Sequence, residues 1–393
     1  MNPLFALLHS RMRRFVDEGR FPGVATLVWR AGEILTLDVA GWRDLAERAP
    51  IQRDTLYRLA SMTKPMTSVA ALMLVDDGRL DLWQPVARWL PEAAGIQVLR
   101  TPTSEIEDVV PARREPTLFD LMTHTAGFSW GKGLNLPITR AMNAATGQTP
   151  FVPHDPETLV QRACALPLLR QPGDGWHYGI STDLLGVVIA RASNMSLPDF
   201  MANRIFEPLG MVDSGFFAPP EKLERLSTGY SRDAGGRLVV HDDARTGFWS
   251  RPPVFPAGGG GLLSTLEDYL AFARMLLNRG KAGQQRVLSE QSARLMTSNL
   301  LTDDQLRALD PSVNFLRGQG FGLGVAVTLD AQDNRRSPGS FSWPGGYGTT
   351  WFADPRENLI AVLMSQVWQD SLMEIGPAFE DAVYMAAGRR API

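Results

Sequence analysis

Residues 57–78 read YRLASMTKPMTSVAALMLVDDG. Apart from Ser68, the run from Ser68 to Val75 is apolar almost all round, which describes a helix enclosed on every side rather than one lying on a surface. Ser61 stands at the N-terminal mouth of that helix. Lys64 follows one turn later on the same face. Pro65 falls in the first turn or so, where backbone N–H groups have no intrahelical partner to lose. A lysine at the mouth of a buried helix is unusual, and the chain has only four: Lys64, Lys132, Lys222 and Lys281. Arginine stays charged, whereas a desolvated lysine can deprotonate. The plain structural alternative is a capped helix whose lysine reaches outward to solvent.

An activated serine needs more than a lysine. Its proton must be taken up and passed to the leaving group, and two backbone N–H groups must face the developing oxyanion. QPGDGWHYGIST (171–182) places Tyr178 just before a helix starting near Ser181. A phenol is a poor base alone, but a nearby ammonium favours its anionic form. His177 is a rival base, yet a histidine triad also needs an ordering carboxylate, and the sequence singles none out. The Ser61 N–H sits at a helix N-terminus, which suits an oxyanion. SFSWPGGYGTTW (340–351) offers Gly345 and Gly346, where backbone can approach a ligand closely.

A second serine competes. GFSWG (127–131) fits G-x-S-x-G, and Lys132 also makes Ser129 an S-x-x-K. A nucleophile elbow needs a strand before it and a helix after it. Here helical spacing precedes, and a glycine- and proline-containing run follows. Gly127, Gly131 and Gly133 also weaken any helix around Ser129. A turn after a helix C-terminus is the better reading.

The rest of the chain fits around the first stretch. GVATLVWRAGEILTLDVAGW (23–42) reads as a hairpin about Ala31-Gly32. Residues 321–330, 349–355 and 359–367 are strand-like, and a helical pattern spans roughly 372–387. Between these ends the pattern is mainly helical, as in 68–78, 117–127, 181–194 and 264–280. The last of these has Ser264 or Thr265 as N-cap and a C-cap glycine. The proline-rich run 101–116 reads as a loop or small ribbon. We therefore expect an α/β fold of two lobes. A discontinuous α/β lobe (1–60 and 320–393) carries an antiparallel sheet, and a mainly helical lobe (61–319) is inserted.

Composition narrows the function. The 393 residues are 44% hydrophobic and 21% charged, with net charge −3. No basic run offers a footprint for nucleic acid or an anionic membrane. Cys164 is the single cysteine, and the five histidines show no metal-ligand spacing, so no metal is expected. The N-terminal segment suits an amphipathic helix with Leu4, Phe5, Leu7, Leu8, Met12 and Phe15 on one face. Its arginines follow the apolar run instead of preceding it, unlike a signal peptide. A cytoplasmic protein is expected, with no membrane span.

Five segments together resemble the serine β-lactamase and penicillin-binding superfamily, and in particular the family VIII carboxylesterases related to class C β-lactamases. They are LASMTKPMTS (59–68), TLFDLMTHTAGF (117–128), QPGDGWHYGISTDLLG (171–186), FPAGGGGLLSTLEDYLAFARMLLN (255–278) and SWPGGYGTTWFADP (342–355). The resemblance implies a single β-lactamase-like domain over 1–393. It implies Ser61 as nucleophile, Lys64 and Tyr178 as acid/base pair, Gly346 N–H as second oxyanion donor and a structural His124. Trp343 stands where β-lactamases carry the lysine of K-T-G, and Ile180 where they carry the asparagine of Y-x-N. Both changes remove groups suited to an anionic β-lactam. Trp343, with Phe128, Trp130, Tyr347 and Trp351 nearby, favours an apolar ester. The expected activity is that of a carboxylesterase on small to medium esters, with neither metal nor organic cofactor. A β-lactamase, a D-amino-acid peptidase and an acyltransferase are the alternatives.

Overall fold

The computed structural model describes residues 5–129, 135–147, 150–307, 316, 318–330, 335–369 and 371–388. The N-terminal helix α1 (Ala6–Asp17) buries Leu8, Met12 and Phe15. Leu7 points away and is 40% exposed, so the buried stripe is narrower than the apolar composition suggests. Strands β1 (Gly23–Arg30) and β2 (Glu33–Asp44) form the expected hairpin. Ala31 and Gly32 both take positive φ, 49° and 106°, as a tight hairpin connection requires.

Among the described residues these strands join six others in one eight-stranded sheet. The remaining strands are β3 (Ala49–Pro50), β4 (Gln319–Phe321), β5 (Ala326–Thr328), β6 (Phe341–Ser342), β7 (Thr350–Asp354) and β8 (Leu359–Met364). Their order is β4-β5-β6-β7-β8-β1-β2-β3, antiparallel at every pairing. The N-terminal hairpin thus lies against the C-terminal strands, with Leu27 opposite Val362.

Every residue of β8 is buried, which marks a strand covered on both faces. The period-two alternation sorts its side chains into two cores. Leu359, Ala361 and Leu363 pack with Leu8 and Met12 of α1 and with Phe379 and Val383 of the C-terminal helix (Ser371–Ala386). Ile360, Val362 and Met364 join the larger core that contains Leu270 and Ala273. Truncating such a leucine to alanine costs about 2–5 kcal/mol.

Three helices shape the larger core: α2 (Lys64–Asp76), α3 (Ser181–Ser193) and α4 (Leu266–Leu277). Every residue of α2 from Lys64 to Leu74 is buried. Thr265 caps α4, its side chain accepting the Asp268 N–H. The helix ends at Leu277, and the chain bends back there so that the Gly280 N–H reaches Met275 O at 2.9 Å. The helical spacing over 117–127 yields only Leu118–Met122. Beyond it, the Thr125 and Ala126 N–H groups both turn back to Asp120 O, and His124 takes φ 57°, which a continuing helix forbids. The first part of the proline-rich run closes a small ribbon, Gln97–Leu99 with Val109–Pro111. No helix among the described residues is long and apolar enough to cross a membrane.

Candidate active site

The site begins where a strand gives way to α2. Tyr57–Arg58 pair with Leu263–Ser264, and the Leu59 N–H continues the pairing to Leu262 O. Ala60 then takes φ 46°, a left-handed conformation that costs a non-glycine residue about 1–2 kcal/mol. A 3-10 turn over Ala60–Thr63 follows and runs straight into α2. This sharp reversal leaves Ser61 half-buried between two buried neighbours, Ala60 and Met62.

Two side chains converge on the Ser61 hydroxyl. The Tyr178 hydroxyl donates to Ser61 Oγ at 2.7 Å, and Lys64 Nζ donates to it at 3.3 Å. Lys64 Nζ also lies 4.6 Å from the Tyr178 ring centroid, so the cation faces the phenol as well as the serine. The Tyr178 ring is fixed by packing. Trp176 stacks on it at 5.7 Å and 9°, while Trp343 and His124 lie at 5.5 and 5.0 Å. His124 is wholly buried, and neither of its ring nitrogens has a hydrogen-bond partner among the described residues. Burial first, and then the Lys64 charge, push its pKa well below the ordinary histidine value, which keeps the ring neutral.

Lys64 is fully buried, so its charge needs a partner. Besides Ser61, Nζ donates to Gly259 O at 2.7 Å. The Gly259 N–H donates in turn to Asp183 Oδ1 at 2.8 Å. Asp183 is itself fully buried, on the first turn of α3. The neighbouring carbonyl, Gly258 O, takes the Thr67 hydroxyl at 2.7 Å. A Cβ at Gly259 would lie 2.6 Å from Asp183 Oδ2, so only glycine allows this strap to pass.

The glycine turn after β6 closes the other side. The Gly345 N–H donates to Thr349 O at 2.8 Å, and the Thr349 hydroxyl donates to Leu59 O at 3.1 Å. A Cβ at Gly345 would stand 2.1 Å from Leu59 O. The turn therefore seats directly on the segment that leads into Ser61, with the half-buried Gly346 next in line.

The other residues singled out in the sequence fall in different places. Trp343, Phe128 and Tyr347 are 1%, 1% and 0% exposed, so none of the three rings is open to solvent. Trp351 is also wholly buried, in the larger core beside Tyr269. Trp130 and Lys132 lie outside the described residues. Ser129 is buried in irregular backbone. The Gly127 carbonyl there takes the Leu169 N–H at 2.9 Å, and a Cβ on Gly127 would meet Arg170 O at 2.5 Å. No strand precedes it, and residues 130–134, which follow it, lie outside the described residues. The backbone N–H of His177 is tied to His124 O at 2.7 Å.

Sequence reasoning passed over Asp183, Gly259 and Arg58. The signal for Asp183 was a lone carboxylate at the start of a helix whose middle is apolar. Arg58 is fully buried and pairs with Asp242, while its guanidinium also reaches Ser227 O and Gln366 Oε1. No group of histidine, cysteine and carboxylate side chains among the described residues can hold a metal ion.

Comparison with known proteins agrees with this architecture. Protein Rv1367c of Mycobacterium tuberculosis is 39% identical over 374 residues, covering 94% of this chain and 92% of its own length. Esterase EstB of Burkholderia gladioli is 30% identical over 411 residues, covering 97% and 95%. The solved structure of EstCE1, described as a hydrolase with promiscuous acyltransferase activity, superposes with a TM-score of 0.82 at 25% identity, covering 97% and 98%. The Beta-lactamase family model matches residues 8–382, and the chain belongs to the β-lactamase family.

Proposed function

We propose that this protein is a serine carboxylesterase of the family VIII type, cleaving small to medium carboxylic esters through an acyl-enzyme on Ser61. Membership of the β-lactamase family, together with the esterase relatives, supports hydrolase or acyltransferase chemistry. The observation that carries the finer reading is the convergence of the Tyr178 hydroxyl and the Lys64 ammonium on Ser61 Oγ, at 2.7 and 3.3 Å.

In the reactive state the Tyr178 oxygen is the anion, held by the Lys64 charge. Ser61 Oγ adds to the ester carbonyl carbon, and its proton moves to the Tyr178 oxygen. The carbonyl electrons pass to oxygen, which the Ser61 and Gly346 N–H groups receive. A donor of this kind is typically worth about 2.7–4 kcal/mol. Collapse breaks the carbon–oxygen bond, and the departing alkoxide takes the proton back from Tyr178. Water then repeats the sequence in reverse and frees the acid. An alcohol in place of water gives acyl transfer, a second reading that the similarity to EstCE1, a hydrolase with promiscuous acyltransferase activity, favours. Trp343 and Ile180, 1% exposed each, occupy the positions where a β-lactamase presents a lysine and an asparagine, and this favours an ester over an anionic lactam.

The test is hydrolysis of a chromogenic acetate or butyrate ester by purified Ser61→Ala and Ser129→Ala. The proposal expects the first to be inactive and the second to keep activity. The reverse pattern, or nitrocefin turnover faster than ester turnover, overturns it.

A further inference from the structure

Beyond the catalytic groups, a second aromatic assembly abuts the site. A Cβ on Gly346 would lie 3.1 Å from the Trp368 ring, so this indole rests directly on the proposed oxyanion donor. The Gly346 carbonyl also takes the Gln369 N–H at 2.7 Å, which locks the two segments together. His241 stacks on Trp368 at 5.4 Å and 12°. Phe151 sets its edge against His241, Phe248, Trp249 and Trp368 at 5.3–6.0 Å. Trp249 and Tyr347, both 0% exposed, form the floor. The buried Arg58 guanidinium lies 5.1 and 5.9 Å from their ring centroids, and the Trp249 N–H is tied to Gly261 O at 2.7 Å. The floor is therefore rigid. Phe151, Phe248 and Trp368 are only half-buried and His241 is exposed, so the upper rings present aromatic surface to solvent.

Half-buried rings above a buried floor offer a surface suited to an apolar, flat group. Its side of the reaction follows from the chemistry. Tyr178 reprotonates the leaving alkoxide, so the alcohol departs on the Tyr178 side. Tyr178 packs in a different cluster, with Trp176, Trp343 and Phe321. The Trp249–Tyr347 cluster is a separate one that includes Ala60, the neighbour of Ser61, with Phe151, Phe248 and Trp368 packed against it. We infer that Phe151, His241, Phe248 and Trp368 form the acyl-group subsite, and that the preferred substrates are esters of aryl-bearing carboxylic acids. This inference rests on the Ser61 esterase reading.

The test compares p-nitrophenyl phenylacetate with p-nitrophenyl acetate, which share an alcohol, on wild type, Trp368→Ala and Phe248→Ala. A third ester, benzyl acetate, moves the ring to the alcohol. The inference expects the phenylacetate-to-acetate ratio of kcat/KM to fall at least tenfold in both variants. The ring nearest a Cβ on Gly346 is that of Trp368, so the Phe248 variant separates loss of the subsite from disturbance of the oxyanion donor. A ratio unchanged in Phe248→Ala overturns the inference, as does a selective loss on benzyl acetate, which places the alcohol in this subsite instead. If Ser61→Ala abolishes turnover of every ester while the ratio stays fixed, the subsite alone fails. If wild type turns over none of them, the esterase reading falls with it.

Discussion

The Tyr178 hydroxyl and Ser61 Oγ meet at 2.7 Å although 117 residues separate them in the chain. The contact is built from both sides. A left-handed Ala60 presents the serine, and a stack with Trp176 presents the phenol. Tyr178→Phe removes the oxygen and keeps the ring. We predict a fall in kcat of about 10²–10⁴, the usual worth of a placed acid/base group, with KM changing far less. Steady-state kinetics on a short ester reads it, and circular dichroism confirms an unchanged fold.

Asp183 reaches the chemistry through the Gly259 strap that holds Lys64. Asp183→Ala leaves a buried N–H without its acceptor, which costs about 1–3 kcal/mol, and frees the strap to move. Asp183→Asn keeps an acceptor oxygen in the same place. The asparagine variant is predicted to retain more kcat than the alanine variant. Equal losses in both would show that the charge, rather than the position, matters.

Thr349 joins the glycine turn to Leu59 through its hydroxyl. Thr349→Val keeps the shape and loses the bond, so the Gly346 N–H and the Ser61 N–H lose their common anchor. kcat is predicted to fall at least threefold with KM little changed, and Thr349→Ser is predicted to restore it. A lower melting temperature with kcat intact would make Thr349 purely structural. Gly345→Ala is predicted to be worse, because its Cβ would stand 2.1 Å from Leu59 O. Such overpacking costs about 1–3 kcal/mol or more.

His124 gives a pH prediction. Its folded-state pKa lies well below 6.5 because burial and Lys64 disfavour the imidazolium. Below pH 6.5 the unfolded chain therefore binds a proton that the folded one refuses. The stability linked to His124 is complete above about pH 6.5 and is lost as pH falls, by up to about 1.4 kcal/mol per pH unit. His124→Asn, which tolerates the left-handed backbone, should show a flatter decline between pH 6.5 and 5 in urea titrations. Parallel declines in the two proteins would show that His124 does not titrate on unfolding.

Much of the fold was legible because its signals are local. The hairpin about Ala31-Gly32, the apolar run within α2 and the helix capped by Thr265 each carry their own local signal. The Ser61–Lys64 spacing was legible for the same reason, since one helical turn brings them together. The truncated helix at Met122 was not, because His124 reverses the chain there under contacts made by residues 176–178. Asp183 and the Phe151–Trp368 assembly were hidden too, since their partners are far away in the chain. The buried positions of Trp343, Phe128 and Tyr347 show the converse limit. Aromatic residues beside a glycine turn mark a neighbourhood without saying which rings face solvent.

The central claim is that Ser61 is the nucleophile, and covalent labelling tests it most directly. Incubation with a p-nitrophenyl alkylphosphonate, followed by intact mass measurement and peptide mapping, should show one adduct per chain. The account predicts that adduct on Ser61, with loss of ester hydrolysis in step with labelling and no adduct on Ser61→Ala. An adduct on Ser129, or full hydrolysis by a chain labelled at Ser61, would contradict it.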